Sequence, residues 1–104
     1  MRRHDRRVVV TGLGTVNPLG STVEDSWEAA RRGVSGVGPI TAFDASGTAT
    51  KIAAEIDDFD PLDYLEKREA RRLDRYTQFF VAATAQALKD AGLDYTSDDE
   101  AAAE

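Results

Sequence analysis

The fold class follows from residues 6–14, which read Arg6-Arg7-Val8-Val9-Val10-Thr11-Gly12-Leu13-Gly14. Residues 6–11 form a β-branched run that stops at a glycine, a pattern typical of a short strand buried on both faces of a parallel sheet. Residues 12–20 contain three glycines and a proline. This segment is therefore predicted to be a loop whose backbone adopts dihedral angles that other residues avoid.

The first helix is predicted directly after this loop. Residues 21–24 fit a capping box, in which the side chains of a serine or threonine and of a glutamate satisfy the first backbone N–H groups. Val23, Trp27 and Ala30 then recur at the spacing of an amphipathic helix, and Gly33 marks its end.

Residues 33–56 are predicted to hold a loop and one strand. The part up to Thr50 is rich in glycine, and its scattered apolar side chains favour an ordered loop. Residues 51–56 alternate, with Ile52, Ala54 and Ile56 on one side, which indicates a half-exposed edge strand.

Two further helices are predicted toward the end of the chain. Asp60-Pro61 provides an N-cap and a proline at the first helical position, for a short helix that ends near Glu66. Asp74 caps the longest helix, which runs to Ala91 and has Gly92 at the C′ position. One face of this helix consists of Tyr76, Phe80, Ala83, Ala87 and Ala91, and its alanine-rich middle permits close approach of another helix or sheet.

The order strand, helix, strand, helix predicts an α/β fold. Two strands cannot cover both faces of a long alanine-rich helix, so the fold is expected to be incomplete in this chain. The predicted organisation is a basic tail at residues 1–5, a partial domain at residues 6–93 and an acidic tail at residues 94–104, which hold five acids.

Composition excludes several kinds of function. The 104 residues include no cysteine and a single histidine, His4, which removes thiolate zinc sites and cysteine nucleophiles and nearly excludes a Ser-His-Asp triad. A net charge of −6 disfavours nucleic acid and anionic lipid as partners. No apolar run is long enough to span a membrane. We therefore expect a cytoplasmic protein with no metal site, no cofactor and no catalytic residue of its own.

Two motifs have simpler structural explanations. Gly12-Leu13-Gly14 after a strand invites a dinucleotide-binding interpretation, but that fingerprint needs a small residue where Asn17 stands. A structural glycine turn is favoured instead. The acids Asp57, Asp58 and Asp60 lack the loop of a calcium site and indicate a polar turn with a helix cap.

A basic cluster is the strongest candidate for a binding site. On one continuous helix, its spacing would place all five members on one side, although like charges four residues apart are mildly destabilising. The cluster is either a solvated face with local ion pairs or a docking patch for an anionic partner. Its members are Lys67, Arg68, Arg71, Arg72 and Arg75.

Several motifs in order resemble the opening of a β-ketoacyl-acyl-carrier-protein synthase, over about residues 6–94. The resemblance is closest to the elongating condensing enzymes of bacterial fatty acid synthesis, the synthase II type. The motifs are residues 6–14, Asn17-Pro18-Leu19-Gly20, Trp27, Ser35-Gly36, Phe43-Asp44, Leu73-Asp74-Arg75 and Ala91-Gly92-Leu93.

This resemblance implies the N-terminal part of a thiolase-like αβαβα sandwich, in a parent enzyme that is a homodimer. It also implies decarboxylative condensation by a cysteine and two histidines that lie beyond the matched segment, so this chain alone is expected to be inactive. Acyl carrier protein is the implied partner, and its acidic helix is expected to bind the five residues of the basic cluster.

Two alternatives remain open. The parent could be a polyketide ketosynthase subunit or its non-catalytic chain-length partner. The chain could also be a stand-alone module that binds an acidic protein through residues 67–75 without performing chemistry.

Overall fold

The computed structural model describes residues 5–93. His4 and the predicted acidic tail at residues 94–104 lie outside the described residues. The described part contains, in chain order, α1 (Val23–Arg31), β1 (Val37–Pro39), β2 (Ile52–Ala54), a 3₁₀ turn (Pro61–Asp63), α2 (Lys67–Ala70) and α3 (Arg75–Asp90).

The predicted first strand is not formed. Residues 6–11 have no regular secondary structure and no strand partner within the described part of the chain. Val8 is 95% exposed, and Val9 and Val10 are also largely exposed. A strand is held by hydrogen bonds to a neighbouring strand, so a sequence suited to the centre of a sheet stays unpaired where no neighbour is present.

The glycine segment after residue 11 packs against α3. A Cβ atom placed on Gly12 would lie 2.8 Å from Cβ of Ala91, and one on Gly14 would lie 2.8 Å from the backbone nitrogen of Ala87. Neither glycine has a positive φ. The prediction that unusual dihedral angles require these glycines is therefore wrong. Glycine is required here because the surface of α3 leaves no space for a side chain.

Hydrogen bonds fix this segment antiparallel to α3. The N–H of Leu13 donates to Asp90 Oδ2 at 3.0 Å, and the N–H of Thr15 donates to Gln86 Oε1 at 3.2 Å. Two residues of extended chain advance about 6.6 Å and four residues of helix about 6 Å, so the two spacings match. The alanine-rich helix is closely approached, but by this loop rather than by the helix or sheet that the sequence predicted.

The predicted capping box at residues 21–24 would make Ser21 the N-cap residue, but helix α1 begins one residue later. Thr22 is the N-cap, and its Oγ1 accepts a hydrogen bond from the N–H of Asp25 at 3.1 Å. Gly33 follows the helix with φ of 74°, which confirms the predicted end. The predicted apolar face is largely uncovered: Trp27 is 67% exposed, whereas Ala29 is buried.

The region predicted as loop and edge strand forms a hairpin. β1 and β2 pair antiparallel, with Val37 opposite Ala54 and Pro39 opposite Ile52, so residues 33–50 contain a strand that the prediction missed. The alternation of β2 is also reversed, since Ile52 is exposed and Ala53 is half-buried. No packed layer covers the isoleucine side of this short hairpin.

The predicted start of a helical element at Asp60 and the predicted end of α3 at Gly92 are confirmed. Asp60 Oδ1 accepts a hydrogen bond from the N–H of Leu62 at 2.9 Å, although the element that follows is a 3₁₀ turn shorter than predicted. Asp74 is the N-cap residue of α3, as predicted, but its side chain makes no hydrogen bond to the first turn of the helix. Gly92 has φ of 75°, as a C′ glycine does.

The apolar core is small. Its buried hydrophobic residues are Ala29, Phe59, Ala70 and Ala82. Phe59 contributes the largest side chain, and its ring packs edge-on against Phe79 with centroids 5.1 Å apart and stacks on Tyr64 at 6.2 Å. This aromatic cluster joins the 3₁₀ turn to α3. No helix in residues 5–93 is both long enough and apolar enough to cross a bilayer.

Candidate functional site

Four members of the basic cluster lie on one short helical segment before α3. Lys67 and Arg68 are in α2, Arg71 is its C-cap residue, and Arg72 lies in the turn that follows. All four side chains are exposed. We call these four residues the basic corner.

Arg75 does not share a helical face with the basic corner, which corrects the prediction that all five residues lie on one side of one helix. Asp74 has extended backbone with φ of −66° and ψ of 157°, and α3 begins at Arg75. The break at Asp74 changes the chain direction, so the i,i+4 relation between Arg71 and Arg75 no longer applies.

The Arg75 guanidinium is directed toward the aromatic cluster. Its central carbon lies 5.3 Å from the ring centroid of Phe59 and 5.0 Å from that of Phe79. Its Nη2 donates a hydrogen bond to the backbone oxygen of Phe59 at 3.3 Å. Cation–π contacts of this kind favour the position of a guanidinium over the ring faces. Arg75 is therefore in contact with the aromatic cluster, while its side chain remains exposed.

No direct ion pair with another residue of the described part neutralises the basic corner. Within residues 5–93, the ion pairs join Glu28 to Arg31 at 2.9 Å and Glu28 to Arg32 at 3.8 Å. The local pairs expected of a solvated face, Glu69 with Arg72 and Arg71 with Asp74, are not formed. A cluster of four exposed cations on an acidic chain produces a local positive potential.

The position of α2 depends on a side chain that the sequence did not single out. Gln78 is buried in α3, and its Nε2 donates to the backbone oxygen of Ala70 at 2.9 Å. A helix end leaves carbonyl groups without intrahelical partners, and this amide satisfies one of them. The sequence feature that could have identified Gln78 is its position directly before the apolar residues 79–83 of the helix.

The other motifs of the sequence do not form a site. Gly12 and Gly14 face the alanines of α3 rather than the start of a helix, where a dinucleotide phosphate would bind. Asp60 caps the 3₁₀ turn, as the simpler interpretation of the acids predicts. Within the described residues, no group of three or more histidine or acidic side chains is placed to hold a metal ion.

Comparison with known proteins supports one family. The sequence model of the β-ketoacyl synthase N-terminal domain matches residues 5–103. Three curated relatives carry the name 3-oxoacyl-[acyl-carrier-protein] synthase 2. The chain is 48% identical over 88 residues to that of a Synechocystis species, 46% over 96 residues to that of Vibrio harveyi, and 52% over 89 residues to that of Coxiella burnetii.

The matches cover most of this chain and a small part of each relative. They span 85%, 92% and 86% of this chain but only 21%, 23% and 22% of the Synechocystis, Vibrio and Coxiella proteins. A solved structure, the ishigamide ketosynthase/chain length factor, matches with a TM-score of 0.76 and 39% identity, over 90% of this chain and 23% of the other. The thiolase-like α/β fold class is thereby confirmed, with this chain as its N-terminal part.

Proposed function

This chain belongs to the β-ketoacyl synthase family through the N-terminal domain of that family, and from this premise we propose that it is the N-terminal segment of a 3-oxoacyl-[acyl-carrier-protein] synthase. The activity proposed for the whole enzyme is elongation of acyl chains with malonyl-carrier protein in fatty acid biosynthesis. The names of three relatives that are 46–52% identical to this chain support this role.

The segment contributes a binding surface rather than reactive groups. It contains no cysteine, so the thiolate that accepts the acyl group comes from another part of the synthase. The basic corner is proposed to bind the acidic face of acyl carrier protein. The observation that carries this proposal is its four exposed cations, which form no ion pair within residues 5–93. The same proposal places the enzyme in the cytoplasm as a homodimer.

A polyketide ketosynthase or chain-length subunit is the second role for the same fold. The ishigamide ketosynthase/chain length factor supports it at 39% identity. The three synthase 2 relatives are more similar in sequence, and they favour the fatty acid role. A stand-alone module for an acidic protein would use the same basic corner without any condensing activity.

Charge reversal tests the binding surface. Arg71→Glu combined with Arg72→Glu should weaken binding of acyl carrier protein by at least about tenfold at low salt and flatten its salt dependence, because attraction becomes repulsion. Isothermal titration of the 104-residue chain measures the effect. The matched control is Arg31→Glu with Arg32→Glu, an adjacent pair of exposed arginines at the end of α1. Equal affinities for wild type and the Arg71/Arg72 variant would contradict the proposal.

A chimera tests the enzymatic role. Residues 5–93 are substituted for the matched segment of the Coxiella burnetii relative, which is 52% identical. We expect the chimera to condense malonyl-carrier protein with an acyl group, and the isolated 104-residue chain to form no product. A folded chimera that binds acyl carrier protein without condensing would favour the non-catalytic alternatives.

A further inference from the structure

The basic corner rests on a helix that cannot support itself. α2 has four residues, and an isolated helix of one turn is unstable in water because nucleation costs more than a single hydrogen bond returns. The four cations therefore keep their relative positions through contacts with the rest of the chain. Besides its contacts with the 3₁₀ turn, the segment is held by two side chains from the first turn of α3.

Gln78 attaches the end of the segment. Its Nε2 lies 2.9 Å from the backbone oxygen of Ala70 and 3.5 Å from that of Leu73, the residues that precede and follow Arg71 and Arg72. The side chain of Gln78 is buried, as is Ala70 beside it. A buried donor placed between two carbonyl groups holds the backbone that carries both arginines.

Arg75 attaches the beginning of the segment. Its guanidinium contacts the rings of Phe59 and Phe79 and donates to the backbone oxygen of Phe59. Phe59 in turn stacks on Tyr64, which is three residues before Lys67. The chain that leads into α2 is thus held against α3 by a planar cation that lies over two rings.

We propose that Gln78 and Arg75 are positioning residues for carrier binding, which hold the basic corner in the arrangement that the acidic partner recognises. This inference rests on the proposed function. A surface that is ordered before binding loses less conformational entropy on association, so its affinity is higher than that of a mobile surface with the same charges. Arg75 then acts through Phe59, and four cations rather than five face the partner.

The experiment compares substitutions that keep the net charge. Gln78→Met keeps the volume and removes the amide donor, and Arg75→Lys keeps the charge and removes the planar group. Thr84→Val is the control, because Thr84 lies in α3 and its hydroxyl donates to the backbone oxygen of Phe80 in the same helix. Arg71→Lys is the control for a cation that acts by charge alone.

Affinity for acyl carrier protein is measured by titration of the 104-residue chain over a range of salt concentrations. We expect Gln78→Met and Arg75→Lys each to weaken binding about 3- to 10-fold with an unchanged salt slope, since ordering cost rises while charge stays the same. Thr84→Val and Arg71→Lys should remain within about twofold of wild type, because each leaves the charge of the corner and the contacts that order it unchanged.

The outcomes separate this inference from the function it rests on. If the Arg71/Arg72 charge reversal abolishes binding while Gln78→Met and Arg75→Lys bind as wild type, the positioning roles are wrong and the docking surface stands. If the charge reversal has no effect, the docking surface itself is wrong. If Arg75→Gln flattens the salt dependence as much as Arg71→Gln, Arg75 contacts the partner directly and the inference fails. Should Gln78→Met unfold the chain, the Arg75 comparisons still decide.

Discussion

Gln86 joins three separate segments through one amide group. Its Nε2 donates to the backbone oxygen of Ser21 at 2.6 Å and to the hydroxyl of Tyr64 at 3.0 Å, and its Oε1 accepts from the N–H of Thr15. These contacts span 65, 22 and 71 residues of sequence. A side chain with both donors and an acceptor suits such a position, because each segment brings a different unsatisfied polar group.

Glu55 organises the connection of the hairpin in the same way. Its carboxylate accepts hydrogen bonds from the N–H groups of Thr41 and Ala42, each at 2.9 Å, and from the Thr41 hydroxyl at 3.0 Å. The N–H of Thr41 is the largest cause that holds the pKa of Glu55 below its ordinary value of 4.5, and the N–H of Ala42 is the next. The ionised carboxylate is therefore the form that holds this loop.

We predict that acid releases this loop. A depressed folded-state pKa stabilises the loop fully above the ordinary value of 4.5, and this stabilisation disappears as the pH falls through the lower folded-state pKa. The amide proton shifts of Thr41 and Ala42 should therefore titrate with a midpoint below 4.5, and this titration should be absent in Glu55→Gln. A midpoint above the ordinary value in wild type would contradict the prediction.

Helix α3 organises most of the described fold at the level of elements. The aromatic cluster packs against its first turns, the glycine segment lies along its middle and end, and Gln78 holds the end of α2. The break at Asp74 separates α3 from the basic corner, so one sequence cluster supplies both the four residues of that corner and, through Arg75, a contact with the aromatic cluster.

The close approach of the glycine segment to α3 predicts a strong effect of a single methyl group. Gly14→Ala should push the segment off the helix, at a cost of about 1–3 kcal/mol, because the added Cβ would overlap the backbone of Ala83 and Ala87. Hydrogen exchange at the amides of Leu13 and Thr15 measures the loss of their bonds to α3. Gly47→Ala is the matched control, since a Cβ there meets no atom within 4 Å. Unchanged protection in Gly14→Ala would contradict the packing.

Apolar surface remains uncovered at the scale of the whole molecule. None of the large side chains in residues 5–93 is completely buried. The exposed ones include Val8, Val9, Val10, Leu13, Trp27, Tyr76 and Phe80. Patches of this kind mark surfaces that are covered in a complete assembly, in agreement with a chain that spans about a fifth of the length of its curated relatives.

We predict that the 104-residue chain alone binds a hydrophobic dye such as ANS and unfolds over a broad temperature range, because its exposed apolar faces lack partners. Mixing it with a Coxiella burnetii relative that lacks the matched segment should lower the dye fluorescence and sharpen the transition. Calorimetry and fluorescence measure both. A sharp transition and no dye binding by the chain alone would show that it is self-sufficient.

Features that depend on a few neighbouring residues were predictable from the amino-acid sequence. The ends of α1 and α3 at Gly33 and Gly92 follow from the backbone freedom of glycine, and the cap at Asp60 follows from its side-chain oxygen. The order of motifs along residues 6–94 was sufficient to identify the family. For the two helix ends and the cap, the deciding interactions lie within one or two helical turns.

Tertiary contacts decided the rest, because they depend on which distant segments meet. Residues 6–11 have the composition of a central strand, yet they are unpaired where no neighbouring strand is present. The reason for Gly12 and Gly14 is the surface of α3, more than sixty residues away. Arg75 resembles its basic neighbours in sequence, but its exposed guanidinium lies against the rings of Phe59 and Phe79. Local spacing carries no information about such partners, and only their packing assigns each residue its role.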